Sequence, residues 1–207
     1  MIKSNKKKIW LSPPNLSGEE LPYVQQAFDD NWLAPMGPNI DGFEEDIERF
    51  LESSVYVTAL NSGTSAIHLA LDMLGVRQGD EVICQSLTFG ASAFPIGYLG
   101  ASPIFIDSEY DTWNMDPKLL EKALKECQLK GKLPKAIIGV HLYGMPYKSD
   151  EINSLAKHYG VPVIEDSAEA LGSLYQNKKC GTLGHFGVFS FNGNKIITTS
   201  AGGALVC

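Results

Sequence analysis

KAIIGVHLYGMPYKSDEINSLAKHYGVPVIEDS, residues 135–167, decides the fold. Two short apolar runs, KAIIGVHL and VPVIEDS, flank KSDEINSLAKHYG, whose apolar residues recur at helical spacing. The helical pattern stops at Gly160, and glycine tolerates the left-handed conformation that closes a helix. Strand, helix and strand in that order make a crossover unit with parallel strands.

The same alternation runs outward from this unit. Strand patterns stand at VYVTAL, EVICQS, SPIFID and FGVFSF, and helical patterns at TSAIHLALDMLG, GASAFPIGYLG and PKLLEKALKECQLKG. Asp116-Pro117 opens the last of these with a capping residue and a proline at the first helical position. Gly75, Gly100 and Gly131 close helices as Gly160 does. Continuous apolar strands linked by helices predict an α/β fold, a mostly parallel sheet with helices on both faces. We divide the chain into residues 55–207, which form this sheet domain, and residues 1–54, an N-terminal helical arm. The arm holds two amphipathic patterns, EELPYVQQAFDDNW and FEEDIERFLES, joined by the turn-rich LAPMGPNIDG. Tyr23, Phe28, Trp32, Phe43 and Phe50 give them apolar faces, to pack on a partner subunit or on the chain's own domain. AGGALVC reads as one more strand. No turn, cap or polar tail follows it, so the domain is expected to be incomplete at the C-terminus.

At 207 residues, roughly 70% of the unfolded chain's surface can be buried. Hydrophobic residues make up 44% and charged residues 20%, as in ordinary soluble domains. A net charge of −7 argues against a nucleic-acid partner, which needs a basic stripe. Lys3, Lys6, Lys7 and Lys8 read as a solvated start, because no apolar stretch follows them. No run approaches a membrane span or a secretory leader. Cys84, Cys127, Cys180 and Cys207 fit neither a zinc site nor a disulfide framework, so no metal is expected and a reducing cytoplasm is. Cys84 and Cys207 lie in strand patterns and read as core residues.

Three places carry chemistry. Asn61-Ser62-Gly63-Thr64-Ser65 sits between a strand and a helix, where hydroxyls and free amides suit an anion. Asp166 stands at the C-terminal end of a strand, where ligands bind in open α/β sheets, and Glu165 faces the other way. Lys195 lies in an Asn/Gly-rich turn five residues after Ser190. Each alone has a plainer reading: a helix cap, a turn-forming acid, a solvated lysine. Together they meet the demands of pyridoxal phosphate, which needs a lysine amine, a carboxylate for its pyridine nitrogen and an anion site for its phosphate.

The ordered set resembles the DegT/DnrJ/EryC1/StrS aminotransferases, from SPP at Ser12 to the last residue. FSFNGNKIITTS is especially similar to bacterial members acting on 4-keto-6-deoxy sugars. The resemblance implies the large domain of a fold-type-I aminotransferase, with the C-terminal small domain absent. It makes Lys195 the Schiff-base lysine and Asp166 the pyridine-nitrogen carboxylate. It places Gly63, Thr64, Ser65 and Ser190 at the phosphate, and Phe89, in SLTFGAS, on the cofactor ring. Phe89 also reads as an ordinary core residue. Glu169 matches the position contacting the ring hydroxyl, where other members carry Gln or His. TTSAGG departs from the usual Thr-Thr-Gly-Glu-Gly-Gly, with Ala201 replacing a residue that is often Glu or Gly. His141 and Tyr143 border the site or belong to the core, and His68 and His185 receive no role.

The implied reaction is transamination from glutamate to a nucleotide-linked keto sugar, in polysaccharide biosynthesis, by a homodimer with shared sites. The alternative is a truncated, inactive relative that keeps the fold. A sugar dehydratase of this fold carries His where Lys195 stands, and a cysteine desulfurase places His where Asn194 stands. No strand is followed by the GxGxxG of a nicotinamide enzyme.

Overall fold

The computed structural model describes residues 8–10, 13–32 and 34–207. Lys3, Lys6, Lys7 and Ser12 therefore lie outside the described residues. Lys8 places its Nζ 3.7 Å from the centroid of the Trp10 ring.

Two helices come first, α1 (Glu20–Asp29) and α2 (Pro38–Leu51). Then follow β1 (Val57–Leu60), α3 (Gly63–Met73), β2 (Glu81–Gln85), α4 (Phe94–Tyr98), β3 (Ser102–Ile106) and α5 (Pro117–Leu129). The remainder is β4 (Ala136–Val140), α6 (Ser149–Tyr159), β5 (Val163–Asp166), β6 (Leu174–Tyr175), β7 (Lys178–Lys179), β8 (Phe186–Ser190) and β9 (Gly203–Val206).

Seven strands form one sheet in the order β1-β9-β8-β5-β4-β2-β3. Neighbours from β8 to β3 pair in parallel, as the crossover pattern predicts. β9 is the exception: it runs antiparallel to both β8 and β1 and joins them. Side chains alternate across the sheet. Val82, Cys84, Ile138, Ile164 and Val188 pack beneath Ala66, Ile67, Ala70 and Leu71 of α3. Ile83, Ile137 and Val163 pack beneath Leu120 and Leu124 of α5 and Ile152 of α6. α5 starts as expected, with the Asp116 carboxylate accepting from the Lys118 N–H at 2.7 Å. Gly160 ends α6 at φ +68°.

Several expectations shift. The pattern GASAFPIGYLG is not one helix; it divides into a 3-10 turn, Gly90–Ser92, and the short α4. Pro95 explains the division, because its ring forbids a continuous helical ladder through this point. α2 begins at Pro38, inside the stretch expected to be a turn, since proline is pre-set for the first helical position. β6 and β7 form a small hairpin turned by Gln176 and Asn177, both at positive φ. Cys84 is buried, but Cys207 is exposed because it lies just past the end of β9.

α2 packs on the chain's own sheet: Ile47 and Leu51 join Val57, Phe189, Phe191, Ala204 and Val206. Phe43 meets Phe191 edge-on at 5.0 Å, whereas Tyr23, Phe28, Trp32 and Phe50 stay exposed. α1 buries none of its residues. α2 also covers the sheet edge. β1 is an edge strand, and its Val57 and Ala59 N–H groups donate to the carboxylates of Glu48 (2.9 Å) and Glu44 (2.7 Å). Four helical residues rise about 6 Å and two strand residues about 6.6 Å, so the two spacings match.

Candidate active site

α3 begins where β1 ends. Ser62 caps it: the Ser62 hydroxyl accepts from the Ser65 N–H at 3.1 Å and lies 2.9 Å from the Ser65 hydroxyl. Ala66 N–H reaches back to the Ser62 carbonyl at 3.1 Å. The N–H groups of Gly63 and Thr64 have no acceptor within the helix and lie at its positive end. Gly63 lets β8 come close, for a Cβ there would stand 3.0 Å from the Ser190 Cβ. Gly203 does the same from β9, where a Cβ would fall 2.2 Å from the Ser62 carbonyl carbon.

A cleft of about 290 Å³ opens at this junction, over the C-terminal ends of β4, β5 and β8. Gly63, Thr64, Phe89, Asp166, Glu169, Ser190 and Lys195 all line it. Ser65 does not; Ser62 holds both its N–H and its hydroxyl. Phe89 is 78% exposed, so it is no core residue.

β5 carries two acids to opposite faces, as strand geometry requires. Asp166 faces the cleft, with Oδ2 accepting from the Ser92 hydroxyl at 2.5 Å and Oδ1 from the Ala168 N–H at 3.2 Å. Burial pushes its carboxyl above the usual range; the Ser92 hydroxyl, the Ala168 N–H, and the nearby Lys195 and His141 act the other way. Cys84 feels both influences: burial, then the charge of Asp166, push its thiol up to about 12, so it is no nucleophile.

Glu165 lies fully buried on the opposite face. It accepts from the N–H groups of Gly181 (2.9 Å), Gly184 (2.5 Å) and Leu183, and pairs with His141 Nε2 at 2.9 Å. His141 Nδ1 accepts from the Tyr147 N–H at 3.3 Å, which leaves the ring proton on Nε2, and the ring stacks on Tyr147. His141 thus both lines the cleft and is fully buried.

Lys195 hangs from a turn closed by its own N–H on the Asn192 carbonyl, at 2.9 Å. Its Nζ donates to Glu169 Oε1 at 3.2 Å, and Glu169 Oε2 accepts from the Tyr143 N–H at 2.9 Å. The cleft therefore sets an amine, two carboxylates, an aromatic ring and a helix start around one space.

Thr88 and Ser92 were not expected at the site. Thr88 lines the cleft, and its hydroxyl is 2.7 Å from that of Ser92. Two hydroxyls spaced i, i+4 in an otherwise apolar stretch, on either side of Phe89, are the signal that could have found them.

Residues 14–207 match the DegT/DnrJ/EryC1/StrS aminotransferase family. EpsN of Bacillus subtilis (strain 168), provisionally named a pyridoxal phosphate-dependent aminotransferase, is 58% identical over 97% of this chain and 51% of its own. GDP-perosamine synthase of Escherichia coli O157:H7 is 44% identical over 97% of this chain and 53% of its own. Spr1654 from Streptococcus pneumoniae, provisionally named a sugar aminotransferase and solved in a PLP form, superposes with a TM-score of 0.84 at 30% identity. That alignment covers 96% of this chain and 53% of Spr1654. The chain thus spans about half the length of the relatives it matches. With the match running through all of its sheet and through every residue that lines the cleft, the chain belongs to the DegT/DnrJ/EryC1/StrS aminotransferase family.

Proposed function

We propose that the chain is the cofactor-binding part of a pyridoxal 5'-phosphate-dependent aminotransferase that moves an amino group from glutamate to a nucleotide-linked keto sugar, of the 4-keto-6-deoxy type. The observation that carries this is the meeting of the Lys195 amine and the buried Asp166 carboxylate in one cleft at the start of α3. The donor set fits the cofactor. Two amides without helical acceptors and the Ser190 hydroxyl suit a phosphate. Asp166 retains lone pairs beyond those used by Ser92 and Ala168.

When bound, pyridoxal phosphate supplies an aldehyde for an amine and a ring that takes up an electron pair. The chain's own residues do the rest. Asp166 holds a proton at the pyridine nitrogen. Phe89 offers an aromatic face to a planar ring. Lys195 Nζ takes up and returns the proton that moves during transfer. Glu169, 3.2 Å away, holds that amine in the cleft until it is needed. The GDP-perosamine synthases among the relatives support a sugar substrate. Lys195 argues against the dehydratase reading. A homodimer, a cytoplasmic location and a role in polysaccharide biosynthesis belong to the same proposal, as does the division at residues 54 and 55. No helix among the described residues is long and apolar enough to cross a membrane.

Borohydride reduction of the chain with pyridoxal 5'-phosphate, followed by peptide mapping, tests the cofactor site. The label is expected on Lys195, and an unlabelled Lys195 refutes the proposal. Release of 2-oxoglutarate from added glutamate then tests transfer. A labelled chain that releases none supports the inactive reading instead.

A further inference from the structure

We infer that Ser92, ordered by Thr88, is a positioning residue that fixes Asp166 as an anion at the floor of the cleft, ready for the proton-bearing nitrogen of the cofactor ring. It rests on the reading of the cleft as a pyridoxal phosphate site.

The geometry runs in one direction. A hydroxyl has one proton to give. Ser92 gives its proton to Asp166 Oδ2 at 2.5 Å, within the range of a hydroxyl bonded to a charged oxygen. The 2.7 Å contact between Ser92 and Thr88 must then use the Thr88 proton. The donors thus form a chain, Thr88 to Ser92 to Asp166, that ends on an acceptor. A neutral Asp166 would have to reverse this chain or carry its proton on Oδ1, where the Ala168 N–H already donates.

Burial makes this matter. Ser92 is 1% exposed and Asp166 5%, so no solvent shell supports the charge. Burial raises the carboxyl, and the Ser92 bond is the largest influence lowering it. The other ionisable groups facing Asp166 are Lys195 after β8, His141 after β4 and Cys84 on β2. Lys195 is shared with Glu169, and His141 with Glu165. Among the described residues, the Thr88–Ser92 arm is the side-chain donor to Asp166 with no second acid to serve, beside the backbone N–H of Ala168.

The arm is also mechanically tied to the cofactor face. The Ser92 N–H donates to the Phe89 carbonyl at 3.0 Å. One short turn therefore presents both the aromatic ring and the hydroxyl that holds the carboxylate.

The test uses the full chain and four variants: Ser92→Ala, Ser92→Thr, Thr88→Val and Asp166→Asn. Carbon-13 NMR of labelled aspartate follows the Asp166 carboxyl in ligand-free protein, with Asp166→Asn giving the assignment. Titration with pyridoxal 5'-phosphate gives affinity. Ser92→Ala is expected to raise the carboxyl's titration by about one pH unit and to weaken binding about tenfold. Ser92→Thr restores both, and Thr88→Val shifts both in the same direction by less. Ser92→Ala matching wild type in both readouts overturns the inference, as does Ser92→Thr failing to rescue. Should Ser92→Ala not fold, Thr88→Val decides: an upward shift supports the inference and an unchanged titration overturns it. Failure of the underlying reading looks different. Asp166→Asn binding as tightly as wild type overturns the cofactor site itself, and the inference with it, whatever the Ser92 variants do.

Discussion

Glu165→Gln is a shape-conserving change with a large expected cost. Glu165 is fully buried and accepts four donors: the N–H groups of Gly181, Leu183 and Gly184, and His141 Nε2. Glutamine keeps the volume, so no cavity forms, but one oxygen becomes a donor. In one orientation the new amide faces Gly181 and His141; in the other it faces Leu183 and Gly184. Either way two donors lose their acceptor. The imidazole cannot escape by changing tautomer, because its Nδ1 already accepts from the Tyr147 N–H. An orphaned buried donor costs about 1–3 kcal/mol, so two cost about 2–6 kcal/mol, with about 3 kcal/mol a conservative figure. For a chain of this size that lowers Tm by roughly 6–12 °C. Urea unfolding followed by tryptophan fluorescence measures it, with an unchanged m-value confirming that the folded state is what moved. A loss below about 1 kcal/mol would refute the reasoning, since it would show that the loop at residues 181–184 does not depend on the carboxylate.

Other expectations follow from charge and edge pairing. Asp166 has a raised folded carboxyl, so the stability it contributes is present below its ordinary 3.8 and is lost as pH rises through the folded value. Asp166→Asn should therefore be more stable than wild type at pH 7 in urea melts, and the gap should close at acid pH. Glu109 behaves oppositely: burial raises its carboxyl, but the Thr112 hydroxyl, the Asp111 and Thr112 N–H groups and Lys148 together hold it at about 2. Its stability is present above 4.5 and is lost as pH falls from there toward 2, and Glu109→Gln should flatten that part of an acid-unfolding curve. Glu44→Ala with Glu48→Ala should cost about 2 kcal/mol and speed amide exchange at Val57 and Ala59, read by hydrogen-exchange NMR.

Much of the site was legible because its parts lie at the ends of elements. A strand's apolar run fixes where Asp166 emerges, and small residues after VYVTAL fix where α3 begins. Lys195 and Ser190 follow from the next strand in the same way. What escaped depends on contacts between segments far apart in sequence. The Ser92 bond to Asp166 becomes visible only once β2 and β5 share a sheet, and Pro95 has first to break the helix that the apolar pattern implies. Ser65 is absent from the cleft lining because the Ser62 hydroxyl lies 2.9 Å from its own, a contact within one turn that the residue type does not reveal. Glu44 and Glu48 received no role from the sequence, since only the sheet edge reveals their partners. The antiparallel course of β9 could not be read from AGGALVC, because four apolar residues carry no direction.

That course of β9 has a consequence for the order in which the molecule comes together. β1 has one neighbour in the sheet, and it is β9: Val57 pairs with Val206 and Leu60 with Gly203. Closing so long a loop is entropically costly and slow. α2 rests on β1 and β9 together, and the start of α3 is pressed by Gly203. The five parallel strands can assemble from contacts nearer in sequence, whereas β1, which leads into the start of α3, gains its one sheet neighbour only from β9. Contact order thus favours late closure of the β1–β9 edge, and with it of the turn that carries Gly63 and Thr64.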